Sequence, residues 1–267
     1  MDLQLIGKRA LVTGGSRGIG KAIAKGLALE GVDVALLARD ASTLAQAASD
    51  IAAQTGRKII AVSADTTDDA QVSAAFASAA MQLGGNIDIL VNAAAEPAGF
   101  AGPPKLDAIT SEFFHAELDT KVMGYIRCAR QAAPGMRASG WGRIVNISGL
   151  AARQSGNAVG SIRNVAVAAL TKNLADELGP AGINVTVVHP GLTRTERTAP
   201  LVRARAQAQG KPESDIEAQM AAGNSIKHLV DAAEVANVVV FLCSPLSRAI
   251  NGDAIAAGGG APLSIHY

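Results

Sequence analysis

Leu11-Val12-Thr13-Gly14-Gly15-Ser16-Arg17-Gly18-Ile19-Gly20 is the stretch that decides the fold. A short apolar run ends at Thr13, glycines follow, and Ile19, Ile23 and Leu27 then recur at helical spacing. The reading is a buried strand, a glycine-rich turn and a helix start. Gly14 lets the chain turn without a Cβ clash. Gly18 and Gly20 let the first helical amides come close to an anion. Free N–H groups and the helix dipole both favour negative charge there, which suits a pyrophosphate. Strand before and helix after are the context such a glycine motif requires.

Outward from this stretch, short β-like apolar runs alternate with helical patterns. The strand candidates are Ala10–Thr13, Val34–Ala38, Ile59–Ala64, Ile87–Asn92, Arg143–Ser148, Asn184–His189 and Asp253–Ala256. Helical patterns occupy about 18–30, 42–55, 68–83, 107–138, 157–178 and 231–243. This order predicts one α/β domain over 1–267, a doubly wound parallel sheet of about seven strands with helices on both faces. Right-handed crossovers bring the strand C-termini to one edge, so ligands should collect near Gly14, Asn92, Ser148 and Pro190. The irregular, charged segment 192–225 follows a strand C-terminus and is expected to be a lid, or a surface helix pair, over that edge. A glycine- and proline-rich loop, Gly99–Lys105, is expected to border the same pocket.

Composition narrows the class further. Hydrophobic residues make up 49% of the 267 and aromatics only 3%, so the core is built from Ala, Val, Ile and Leu. A net charge of +1 gives no basic field for nucleic acid. Two cysteines, Cys128 and Cys243, are too few for a disulfide framework and read as buried thiols in a reducing compartment. No secretory signal opens the chain, and no run reaches the roughly 18 apolar residues of a membrane span, so the cytoplasm is the expected location. The four His and two Cys have no metal-site spacing, so no metal is expected.

Together these residues resemble the short-chain dehydrogenase/reductase family over nearly the whole chain. Thr13-Gly14-x-x-x-Gly18-x-Gly20 is similar to its cofactor loop. The resemblance implies a Rossmann-like fold, with cofactor contacts from Gly14, Ser16, Arg17, Gly18, Ile19 and Gly20. It also implies that Asp65 meets the adenine, that Asn92 belongs to the fourth-strand motif, and that Thr195, in Pro190-Gly191-x-x-x-Thr195, binds the nicotinamide carboxamide. Asp88–Ala95 departs from the usual Asn-Asn-Ala-Gly ending, with Ala in place of the second Asn and of the Gly. A NAD-type site needs a carboxylate at the end of the second strand, yet Ala38 stands there, followed by Arg39. Arg17 and Arg39 suit a 2′-phosphate, which takes charge-assisted contacts, so NADP(H) is expected over NAD(H).

The family's catalytic pattern is a Tyr with a Lys four residues on, a Ser, and an Asn on the preceding helix. Only Tyr125 and Tyr267 occur here, and neither has a Lys four residues later. Counting from neighbouring motifs puts the Tyr position at Gly160, the Lys position at Asn164, the Ser position at Gly149 beside Ser148, and the Asn position at Lys121. Lys and Asn have thus exchanged places, and in the family fold these side chains approach each other from neighbouring helices. Lys121 is assigned as cation or proton donor, Asn164 as the amide that supports it, and Ser148 as the contact for the substrate oxygen. Tyr125, His115 and His189 are read as structural. The expected function is an NADP(H)-dependent oxidoreductase interconverting a carbonyl and an alcohol in a small molecule, a ketoacyl group among the candidates. The rivals are a non-catalytic NADP(H)-binding sensor or partner protein and an enzyme of non-redox chemistry. A homo-oligomer, tetramer or dimer, is expected through the helices at 107–138 and 157–178, where Ala166, Ala168 and Ala169 permit close packing.

Overall fold

The computed structural model describes residues 1–95 and 102–262. Residues 99–101 of the expected pocket-border loop, and Tyr267, lie outside the described residues.

The first half alternates β1 (Arg9–Thr13), α1 (Gly18–Leu29), β2 (Asp33–Ala38), α2 (Ala41–Thr55), β3 (Ile59–Ser63), α3 (Asp69–Leu83) and β4 (Ile89–Asn92). The second half runs α4 (Ser111–Leu118), α5 (Gly124–Ser139), β5 (Gly142–Ile147), α6 (Ala158–Leu178), β6 (Ile183–Pro190) and β7 (Thr193–Arg194). It ends with α7 (Thr198–Gln209), α8 (Glu213–Ala221), β8 (Val230–Asp231), α9 (Ala232–Cys243) and β9 (Ala254–Ala257). Seven strands form one parallel sheet in the order β3-β2-β1-β4-β5-β6-β9.

Side-chain alternation along each strand feeds two cores. Val12, Leu36, Ile89 and Val91 pack beneath α1, α2 and α9, while Leu11, Leu37 and Leu90 pack beneath α3, α5 and α6. Helices therefore cover both faces. The strand order reverses between β1 and β4, whose ends pair Thr13 with Asn92. The crevice outside that switch point is where such sheets bind ligands.

One sequence expectation needs correction. The pattern over 107–138 is not one helix. Thr110 caps α4 by accepting from the Phe113 amide, so that helix starts only at Ser111. Asp119–Met123 then forms a π-helical turn before α5 begins. Apolar spacing cannot distinguish this wider turn from an α-helical one, and such turns recur at functional sites. The 192–225 segment contains α7 and α8, which pack Val202, Ala206 and Ile216 into a small core of their own. Its link to the main sheet is the short β7–β8 pair, braced by Arg194 against Glu217 and Asp231. No helix among the described residues is long and apolar enough to cross a membrane.

Candidate active site

The glycine loop is shaped by contacts that exclude side chains. Gly14 has φ +65°, and a Cβ there would lie 2.8 Å from the Ala93 carbonyl oxygen. At Gly20 a Cβ would sit 2.2 Å from the Gly14 oxygen. Thr13 Oγ1 accepts from the amides of Ala93 and Ala94, both at 3.0 Å, locking the end of β1 to the chain leaving β4. The N-terminus of α1 is thereby left facing the crevice. Its Gly18 amide donates to Glu196 Oε2 at 2.9 Å, so a carboxylate already occupies the anion position. The cradle thus fits a nucleotide pyrophosphate on two counts, its closeness and the Gly18 amide's bond to a carboxylate.

A cavity of about 1090 Å³ runs from this loop along the strand ends. Gly14, Ser16, Arg17, Gly18, Ile19, Gly20, Arg39, Asp65 and Thr195 line it, as do Lys121, Ser148 and Asn164. Asn92 does not belong with them. Its side chain is fully buried and donates to Asn146 Oδ1 at 2.9 Å, its neighbour in register across β4 and β5. Arg17 donates to Thr43 Oγ1 at 3.0 Å at the start of α2. Asp40 caps that helix, and its hydrogen bonds from Thr43, with help from Arg17, hold its carboxyl below the usual range. Asp65 accepts from the amide and the hydroxyl of Thr67, which fixes the turn after β3.

Farther along the cavity, the π-helical turn carries Lys121 inward. Only 4% of Lys121 is exposed, yet its Nζ has two acceptors. It donates to the Ser148 carbonyl at 2.9 Å and to Asn164 Oδ1 at 3.1 Å. Lys121 and Asn164 are therefore in direct contact. Burial, and secondarily the Arg163 guanidinium, pulls the Lys121 ammonium down to about 7, with Glu117 opposing. Arg163 is itself ion-paired with Glu117. Ser148 Oγ donates to the Asn164 carbonyl at 3.0 Å, so its proton is directed at the α6 backbone and its lone pairs remain available.

The packing around Gly149 and Gly160 is close. A Cβ at Gly149 would fall 3.0 Å from Asn164 Nδ2. A Cβ at Gly160 would fall 2.5 Å from Asn157 Nδ2, on the side chain that caps α6. Asn164 and the Asn157 cap thus fill the space that larger residues at 149 and 160 would take.

The remaining candidates are structural. Tyr125 is buried, and its hydroxyl donates to the Ile147 carbonyl at 2.8 Å. Burial raises its pKa well beyond the ordinary phenol range, which makes it a poor acid at neutral pH. His115 is exposed on α4. His189 is buried, with Nδ1 lacking a partner among the described residues; burial, then Arg153 and Lys121, push it down to about 4. Arg153 donates to the Ala254 carbonyl.

Two features of the site were not found from sequence. Glu196 directly follows Thr195, but its reach to Gly18 depends on how β7 and α7 fold back. The π-helical turn leaves no mark in apolar spacing. That Lys121 would meet Asn164 was foreshadowed only by the family resemblance.

Residues 14–262 match the family model described as Enoyl-(Acyl carrier protein) reductase. Short-chain reductase protein NovJ of Streptomyces niveus is 32% identical over 254 residues, covering 95% of this chain and 93% of that protein. L-Sorbose reductase from Gluconobacter frateurii, solved with NADPH and L-sorbose, superposes with a TM-score of 0.91 at 30% identity, covering 99% of this chain and 100% of that one. A variant of actinorhodin polyketide ketoreductase solved with NADPH gives a TM-score of 0.86 at 28% identity, covering 96% and 98%. The chain belongs to the short-chain dehydrogenase/reductase family. Its relatives and structural neighbours are named as oxidoreductases, and on that footing it is an enzyme.

Proposed function

We propose that this protein is an NADP(H)-dependent oxidoreductase that interconverts a carbonyl and an alcohol in a small molecule, using Lys121 where its family uses a tyrosine. The observation that carries this reading is the Lys121 Nζ to Asn164 Oδ1 bond beside the glycine loop's cavity. The loop from Gly14 to Gly20 would hold the pyrophosphate, with Ser16 and Ile19 in its wall. Arg17 and Arg39 would meet the 2′-phosphate, Asp65 the adenine and Thr195 the carboxamide. The neighbours solved with NADPH support this choice. Asn92 keeps that end of β4 in register rather than touching the cofactor.

When bound, reduced nicotinamide supplies the hydride. Lys121, held near neutrality, gives up its proton to the developing alkoxide oxygen as general acid. Asn164 Oδ1 and the Ser148 carbonyl fix Nζ in place, and both favour the protonated form. Ser148 Oγ, whose own proton goes to the Asn164 carbonyl, contacts the substrate oxygen as an acceptor, from the hydroxyl of the alcohol. In the reverse direction the neutral amine takes the alcohol proton. Segment 192–225 acts as the lid over the substrate end. Exposed Ile162 and Val165 on α6, beside Ala166 and Ala169, support assembly into a homo-oligomer through this helix.

Fluorescence titrations with NADPH and NADH, run beside a panel of ketones and ketoacyl thioesters, test this reading. NADPH should bind tighter and at least one carbonyl should turn over. Tight NADPH binding with no turnover on any carbonyl would leave a binding protein instead.

A further inference from the structure

Lys121 is the buried lysine among the described residues. Both of its hydrogen-bond partners, the Ser148 carbonyl and Asn164 Oδ1, are acceptors. Nζ must therefore donate in both bonds. Among the described residues no carboxylate ion-pairs with it. The charged and titratable groups that act on it or feel it are Glu117 on α4, Arg163 on α6 and His189 on β6. Glu117 is engaged by Arg163, and His189 is neutral at physiological pH. Glu117, the carboxylate that favours the charged form, acts without an ion pair to Nζ and is itself held by Arg163.

We infer that Lys121 captures carbonyl compounds covalently, as an imine formed in the cavity that takes the substrate. The inference rests on the reading of that cavity as a carbonyl site. In the neutral amine, two N–H bonds point to Ser148 and Asn164, which leaves the lone pair at the remaining tetrahedral position, away from both. Attack of that pair on the carbonyl carbon forms the C–N bond, while the carbonyl oxygen takes a proton from nitrogen to give a carbinolamine. The hydroxyl then leaves as water with the second amine proton. The sum is amine plus carbonyl to imine plus water, with no oxidant or reductant. Uptake of one proton from solvent gives the protonated imine, whose single N–H either fixed acceptor can hold. Burial and Arg163, which bring this lysine down to about 7, supply the neutral form near physiological pH. An exposed lysine of ordinary pKa is neutral in only about one molecule in a thousand at pH about 7.5.

The test uses butanal with sodium cyanoborohydride on the full-length protein at pH about 7.5, with alkylated lysines mapped by peptide mass spectrometry. Lys121 should be labelled at least about tenfold faster than Lys8, Lys25 or Lys58, with a rate that rises through pH about 7. Asn164→Asp, nearly isosteric, puts a carboxylate beside Nζ, holds it protonated and should slow its labelling about tenfold while the surface lysines are unchanged. Circular dichroism confirms that this variant is folded. Labelling of Lys121 no faster than that of surface lysines in wild type overturns the inference, as does an unchanged rate in a folded Asn164→Asp. The two readings separate cleanly. Carbonyl turnover without trapping refutes capture alone, and trapping without turnover refutes the reductase alone.

Discussion

Replacing Lys121 by Met removes the titrating group while keeping an unbranched chain of similar volume. In the folded protein the ammonium is lowered to about 7, by burial first and Arg163 second, from an ordinary 10.5. Between those values the unfolded chain holds a proton that the folded chain has released. Stability therefore rises with pH across this window, by up to about 1.4 kcal/mol per unit. From about pH 6 to about pH 9 the rise integrates to roughly 2.7 kcal/mol. That is large against the roughly 5–15 kcal/mol that stabilises a typical domain. Guanidinium unfolding of wild type and Lys121→Met across this range reads the difference directly. The wild type should gain roughly 2 to 3 kcal/mol over the variant on going from the acidic to the basic end. Parallel pH profiles for the two proteins would refute the claim that Lys121 is forced toward neutrality.

Other consequences are simpler to read. Glu196→Gln removes a charge from the α1 N-terminus that the cofactor's phosphates must displace, so NADPH should bind about three- to tenfold tighter by fluorescence titration; weaker binding would mean that Glu196 helps hold the cofactor. Arg39→Ala should weaken NADPH at least about tenfold and leave NADH unchanged, because only the former carries a 2′-phosphate. Tyr125→Phe loses the bond to the Ile147 carbonyl and should cost about 1 kcal/mol in denaturant stability, with turnover within about twofold of wild type. A collapse of turnover in that variant would restore Tyr125 as a candidate acid.

Much of this architecture was legible because local signals agreed. The Thr13–Gly20 stretch needs its glycines because a Cβ at Gly20 or Gly14 would lie 2.2 or 2.8 Å from a backbone oxygen, which would force the loop open. Each expected sheet strand is present, with ends shifted by a residue or two, where hydrogen bonding rather than hydrophobicity sets the boundary. The break at Asp119–Met123 was not legible, since a single five-residue turn is too short for apolar spacing to resolve from the helices on either side. The direction of Asn92 depends on Asn146 lying opposite it, a fact of register between strands 54 positions apart in sequence. Glu196 was visible only as one charge among many in 192–225, because its contact with Gly18 spans 178 positions. The contact of Lys121 with Asn164 was expected from the family resemblance, while the carbonyl of Ser148 as its second acceptor came only from the folded geometry.

As the proposed proton donor of a carbonyl reductase, Lys121 must govern the rate of reduction. Single-turnover reduction of a carbonyl by bound NADPH, followed at 340 nm against pH in wild type and Lys121→Met, tests it most directly. The wild-type rate should fall as pH rises through about 7, and the variant should lose at least about 100-fold. A folded Lys121→Met protein that keeps the wild-type rate and pH profile would contradict it.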